Sequence, residues 1–303
     1  CLMVSLEDTE MKFGFSIACG GHTELLLACV KSIRKHCGDT AVAITFDGFE
    51  AQDEDLAELR SHEECWYDTF TKQRGISAAW NNGIKICIEK GCDAVVVLND
   101  DTEVGQHFLD DWDEFFKNHQ NVKIACSLDR LTAHTVIPRI TKSYSESWAR
   151  DRLPPDIDLA SIIYHDGLLA EIDRFRNDTY SEFAHCRMNG ACFVMTKQAV
   201  DELGLFDENF VPPGCCEDSD MWLRCLTRFG PNSMGTFTRS FIHHLRSVTI
   251  SNYPREWANS QIKKNSELYR SKWPRDKWGA IEDWFSIVNA LPVGSDEPPY
   301  PGL

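Results

Sequence analysis

Asn99, Asp100 and Asp101 follow directly on five apolar residues, 94–98 (AVVVL). An amide and two carboxylates side by side supply oxygen ligands for a hard divalent cation. Mg²⁺ or Mn²⁺ held this way shares its shell with substrate phosphates. The same residues also suit a turn, because Asn and Asp bond their own backbone. A second acidic set, Glu217-Asp218-Ser219-Asp220, stands before an amphipathic run over 221–229. Carboxylates in a helix's first turn are favoured by its positive end, and Asp218 suits an N-cap. Asp47 closes another apolar run, 41–46. An acid at such a strand end either lies near a bound nucleoside or serves an Asp-Gly turn. His243 and His244 end the run 236–242.

A sheet that brings several strand ends to one edge would position these groups. The run 94–98 is short, continuously apolar and β-branched, which predicts a strand buried on both faces. In open α/β sheets the ligand crevice lies at the carboxyl edge. Further strands are predicted over 12–18, 41–46, 122–126, 192–195 and 236–242. Helical spacing predicts helices over 22–37, 52–62, 106–118, 197–203 and 221–229, and one that starts near Gly75 and ends before Gly91. The opening β-α-β-α order is that of a doubly wound α/β sheet. Residues 127–183 carry a weak signal with prolines at 138, 154 and 155, which predicts an insertion that either holds an acceptor or covers an edge. Residues 252–289 are predicted helical and aromatic-rich, and the end of the chain, from 292, disordered.

The 303 residues suffice for one large α/β domain or two small ones. Lys and Arg number 31 against 47 Asp and Glu, a net charge of −16. That balance argues against duplex nucleic acid as a partner, since phosphate backbones need clustered positive charge. No apolar run is long enough for a transmembrane segment, and the opening residues lack the pattern of a signal peptide. The 13 cysteines form no C-x-x-C pair, and adjacent Cys215 and Cys216 have poor zinc-ligand spacing. They are expected to be reduced thiols in a cytoplasmic protein, either free or peripheral to a membrane.

In their order, these motifs resemble the family 2 glycosyltransferases of the GT-A fold, most closely the rhamnosyltransferase-like branch. Asp47 matches the acid that contacts the nucleobase. Gly75, Asn81 and Gly83 match a Gly-rich stretch ending in Asn-x-Gly, and Asn99-Asp100-Asp101-Thr102 matches the metal motif. Gly190-Ala191-Cys192, then Gly204 to Glu208, then Glu217-Asp218-Ser219-Asp220 follow in the family's order, with His243 and Ser247 after them. Asn265, Tyr269, Lys272 and Trp273 extend the match to residue 273. Trp80, where a second Asn is usual, the loop 211–216 and the segment 127–183 depart from the pattern.

The resemblance implies a Rossmann-like, mostly parallel sheet flanked by helices. The GT-A domain would span 12–250, with a variable acceptor-side segment at 127–185, a helical extension at 251–291 and a tail at 292–303. It implies a metal-dependent inverting transfer of a sugar from a nucleotide-diphosphate sugar to a hydroxyl of a glycan or other acceptor, as in polysaccharide biosynthesis. Asp101 and His243 would hold Mn²⁺, or Mg²⁺. Asp47, Gly75, Asn81, Asn99, Asp100 and Gly190 would bind the donor. Asp218 would be the general base, with Glu217 and Asp220 toward the acceptor. Two other readings stay open: a sugar-phosphate nucleotidyltransferase, against which Cys19-Gly20-Gly21 lacks a basic residue before Lys31, and a catalytically silent nucleotide-sugar-binding module.

Overall fold

The computed structural model describes residues 10–129, 183–184, 188–245 and 253–290. Its strands are β1 (Phe13–Cys19), β2 (Ala41–Asp47), β3 (Cys65–Phe70), β4 (Ala94–Asn99) and β5 (Thr102–Val104), then β6 (Ile124–Leu128), β7 (Phe183–Ala184), β8 (Cys192–Thr196) and β9 (Met234–His244). Its helices are α1 (Thr23–Cys37), α2 (Asp53–Arg60), α3 (Ile76–Glu89) and α4 (Phe108–Asn118), then α5 (Lys197–Leu203), α6 (Glu217–Phe229), α7 (Arg255–Lys272) and α8 (Arg275–Ala290). The strands form one sheet in the order β3-β2-β1-β4-β8-β6-β9-β5, with β7 on β9. β3, β2, β1 and β4 are mutually parallel, β8 runs antiparallel between β4 and β6, and β6 and β9 are parallel.

Side-chain alternation along the strands divides the core in two. Phe15, Ile17, Ile44, Phe46, Val96 and Leu98 pack on one face against Leu26 and Ile33 of α1 and Trp112 and Phe115 of α4. Ala43, Val95 and Val97 pack on the other against Trp80 and Ile84 of α3 and Met221 and Trp222 of α6. β2 and the first five residues of β4 are therefore buried throughout. Burying each large apolar side chain contributes about 1.5–3 kcal/mol. α3 approaches β1 closely because residue 83 is Gly: a Cβ there would lie 2.3 Å from Ser16 Oγ.

The predicted elements occur with shifted ends, and β3, β5 and the two-residue β7 are additions. β3 (CWYDTF) has no fully buried residue, as an edge strand, so it lacks a clear apolar run. α6 starts at Glu217, so its acids lie within the first turn, and β9 runs through both histidines. Pro274 divides the predicted C-terminal helix into α7 and α8. Most of the 127–185 segment, Ser247 and the 292–303 tail lie outside the described residues. No helix among the described residues is long and apolar enough to cross a membrane.

Candidate active site

The carboxyl ends of β1, β2 and β4 open into a cavity of about 380 Å³, closed by the start of β8, the loop 211–216 and the end of β9. Asp47, Gly75, Asn99, Asp100, Asp101, Gly190 and Glu217 line it. Residues far apart in sequence meet here because parallel strands deliver their carboxyl ends to one edge.

Asp47 accepts hydrogen bonds from the amides of Arg74 (2.6 Å) and Gly75 (2.8 Å), and so holds the loop before α3 at the cavity wall. Burial raises its pKa, partly offset by those amides. Asp100 accepts from the Gly20 amide at 3.2 Å. Burial, then the charge of Asp101, pushes its pKa up to about 7. Asp101 Oδ1 lies 3.2 Å from His244 Nε2, and the other ring nitrogen lies 3.4 Å from Asp129 Oδ2. Burial alone would lower the imidazole's pKa, but the hydrogen bonds to Asp101 and Asp129 prevail and raise it to about 9. Asp129 is fully buried. It went unnoticed in the sequence, although an acid directly after a buried strand is the signal that singles out Asp47.

Across the cavity, Glu217 accepts the Cys215 amide at 2.5 Å. Burial and the neighbouring Asp218 charge push its pKa up to about 8. Asp218 is half-buried. Its Oδ2 would lie 3.3 Å from a Cβ at residue 190, so glycine there lets the chain pass beside the carboxylate at the cavity wall. Three buried polar atoms of lining residues, Asn99 Oδ1, Trp80 Nε1 and Asn189 Nδ2, have no protein hydrogen-bond partner.

Four predicted site residues are not among those that line the cavity: Asp218, which lies beside Gly190 of its wall, and His243, Asn81 and Asp220. His243 pairs with Glu103 across the β5–β9 ladder, whereas His244 pairs with Thr102. Adjacent strand residues point to opposite faces, so the ring on Asp101 belongs to His244. Asn81 clamps Phe206 through both its amide and its carbonyl (2.9 Å each) and also donates to Glu208. It sets the packing of α3 rather than lining the cavity. Asp220 is fully buried, and its oxygens take Arg224 (3.0 Å), Lys272 (2.7 Å) and Trp273 (2.8 Å). It ties α6 to the C-terminal helices, and its oxygens are committed away from an acceptor. The sequence reading also missed Gln73, Trp80, Pro212, Pro213 and Ile262, which line the cavity. Of these, only Trp80 and the loop 211–216 carried a signal, as departures from the family pattern.

A divalent cation suits this chemistry. Asp101 offers oxygen, His244 beside it offers nitrogen once a bound cation displaces its proton, and the Asn99 amide stands at the same edge. Among the described residues no group of three or more His, Cys, Asp or Glu side chains converges as a protein-only cage. Such a site leaves most of the shell to phosphate oxygens and water.

No family model matches the chain, and no curated protein matches its sequence significantly. Solved structures do. GalNAc-T7, solved with UDP, GalNAc and Mn²⁺, superposes on 95% of this chain with a TM-score of 0.56 and 13% identity. The fold is GT-A. This chain spans about half of that one, 52%. TarS of S. aureus, residues 1–349, aligns over 90% of this chain and 75% of its own with 10% identity and a TM-score of 0.49. The GT-A core accounts for the cavity at the carboxyl edge of β1, β2 and β4.

Proposed function

We propose that this protein is a metal-dependent, inverting glycosyltransferase that moves a sugar from a nucleotide-diphosphate sugar to an acceptor hydroxyl of a glycan. The observation that carries this reading is one cavity with Asp100, Asp101 and His244 on one side and Glu217 on the other, with Asp218 beside Gly190 of its wall. The GT-A fold supports it, and so does the UDP and Mn²⁺ held by GalNAc-T7.

Asp101 and His244 would hold Mn²⁺, or Mg²⁺, with Asn99 adjacent. When bound, the cation supplies Lewis acidity to the diphosphate leaving group. Asp129 fixes the His244 ring from behind, as outer carboxylates orient ligating histidines. Asp47 shapes the nucleoside end by pinning Arg74 and Gly75. Asn99, at the same wall of the cavity, supplies a polar contact to the donor. Asp218 takes the proton from the acceptor hydroxyl as it attacks the anomeric carbon, a role worth about 10²–10⁴-fold in rate. Glu217, held neutral by burial and by Asp218, orients that end of the cavity. Attack opposite the leaving group inverts the anomeric centre.

The test is a panel of UDP-, GDP- and dTDP-sugars incubated with the protein and Mn²⁺. Release of nucleoside diphosphate with free sugar is expected. Pyrophosphate formation from sugar phosphate and nucleoside triphosphate would assign a nucleotidyltransferase instead. A thermal shift with no turnover of any donor would assign a binding module.

A further inference from the structure

Cys215 and Cys216 stand in the loop that closes the cavity, directly before α6. Neighbouring side chains on an extended backbone point apart, yet here the two sulfurs lie 3.3 Å from each other. The backbone brings them together: Gly214, Cys215 and Cys216 have φ of 103°, 144° and 71°, a region that L side chains rarely adopt. Both residues are half-buried, and Cys215 lines the cavity. Another neighbouring pair among the described residues, Cys87 and Cys92, is only 1% exposed at each thiol residue, so a reagent in solution cannot reach it in the folded protein.

We propose that Cys215 and Cys216 are a reversible oxidation site that closes into a vicinal disulfide by exchange with a small-molecule disulfide. The Cys216 thiolate attacks one sulfur of the reagent and displaces one thiolate, giving a mixed disulfide. Cys215 then loses its proton and attacks Cys216 Sγ, displacing the second thiolate. Two protein thiols are oxidised and one disulfide is reduced to two thiols. The hydrogen bond from Cys215 holds the Cys216 thiol down at about 7, against its burial, and the same contact raises Cys215. This assigns Cys216 as attacker and Cys215 as resolver. Closure of the ring displaces the Cys215 amide from Glu217 Oε2, and with it the acidic end of the cavity. That last effect rests on the transferase reading; the thiol chemistry does not.

The experiment treats the full chain with oxidised glutathione, traps free thiols with iodoacetamide and maps tryptic peptides. The peptide 198–224 carries these two cysteines and no other. It is expected two hydrogens lighter than its reduced form, unalkylated, and restored by dithiothreitol. Cys215→Ser should instead retain a glutathione adduct on Cys216, because nothing resolves it. Two alkylated thiols on the wild-type peptide, or a cross-link to another peptide, would overturn the proposal. A stable adduct on Cys215 in Cys216→Ser, with none on Cys216 in Cys215→Ser, would overturn the assigned roles. Nucleotide-sugar turnover should fall with oxidation and return on reduction. Unchanged turnover with the disulfide formed overturns the coupling to Glu217. Absence of turnover in the reduced protein counts against the transferase reading, while the peptide masses still decide the disulfide.

Discussion

Two histidines one residue apart offer a direct test of the metal site. His244, on Asp101 and Asp129, is expected to matter, and His243, opposite Glu103, is not. His244→Ala should raise the Mn²⁺ concentration needed for half-maximal turnover, whereas His243→Ala leaves it near wild type. A Mn²⁺ titration at fixed donor reads both, and the reverse ranking would return the ligand to His243. The acids opposite separate in the same way. Asp218→Asn should keep donor affinity and lose about 10²–10⁴ in kcat. Glu217→Gln keeps a neutral acceptor for the Cys215 amide and should lose far less. If Glu217→Gln gives the larger loss, the base is Glu217, whose raised pKa also places it within reach of that role.

At the scale of elements, α6 carries two separate jobs in one turn. Glu217 lines the cavity and Asp218 lies beside Gly190 of its wall, while Asp220 turns to Lys272 and Trp273 at the end of α7. Asp218 and Asp220 are two residues apart, about 200° around a helix, so the two carboxylates point to opposite sides. Asp220→Ala would leave Arg224 and Lys272 without their shared carboxylate. A loss of about 3–5 kcal/mol is expected, as for breaking a buried ion pair. Denaturant unfolding checks it, and an unchanged midpoint would mean that α7 is not held by this contact. α3 meets β1 with even less tolerance. Gly83→Ala should destabilise, because its new methyl collides with Ser16, which already donates to the Trp80 carbonyl at 2.9 Å. The readout is the same unfolding midpoint.

For the whole molecule, the buried acids set a pH dependence of stability. Glu217 is raised from 4.5 to about 8, so above 4.5 the unfolded chain releases this proton while the native state retains it. Stability therefore falls as pH rises through that window. At about 1.4 kcal/mol per unit, the shift is worth a few kcal/mol at most. His244 has the opposite charge type and the same sign of effect: its contribution is full below 6.5 and is lost as pH rises through about 9. In chelator, wild type should melt at a lower temperature at pH 9 than at pH 6, and Glu217→Gln should flatten that slope. Equal slopes in the two proteins would show that Glu217 titrates normally. The order of the elements was legible in the sequence, because apolar runs of strand length alternate with helical spacing. So was the gathering of Asp47, Asp101 and Glu217 at one edge, since each acid directly follows a strand or opens a helix. Which members of each motif face the cavity was not legible. His243 and His244 are chemically identical in sequence, and only the register of β9 on β5 turns one ring toward Asp101. Asn81 and Asp220 carry the right chemistry for a site, but long-range partners at Phe206 and Lys272 claim them. Short motifs specify residue types and strand ends through local periodicity, whereas side-chain direction and partners arise from contacts between distant segments, which tertiary structure alone fixes.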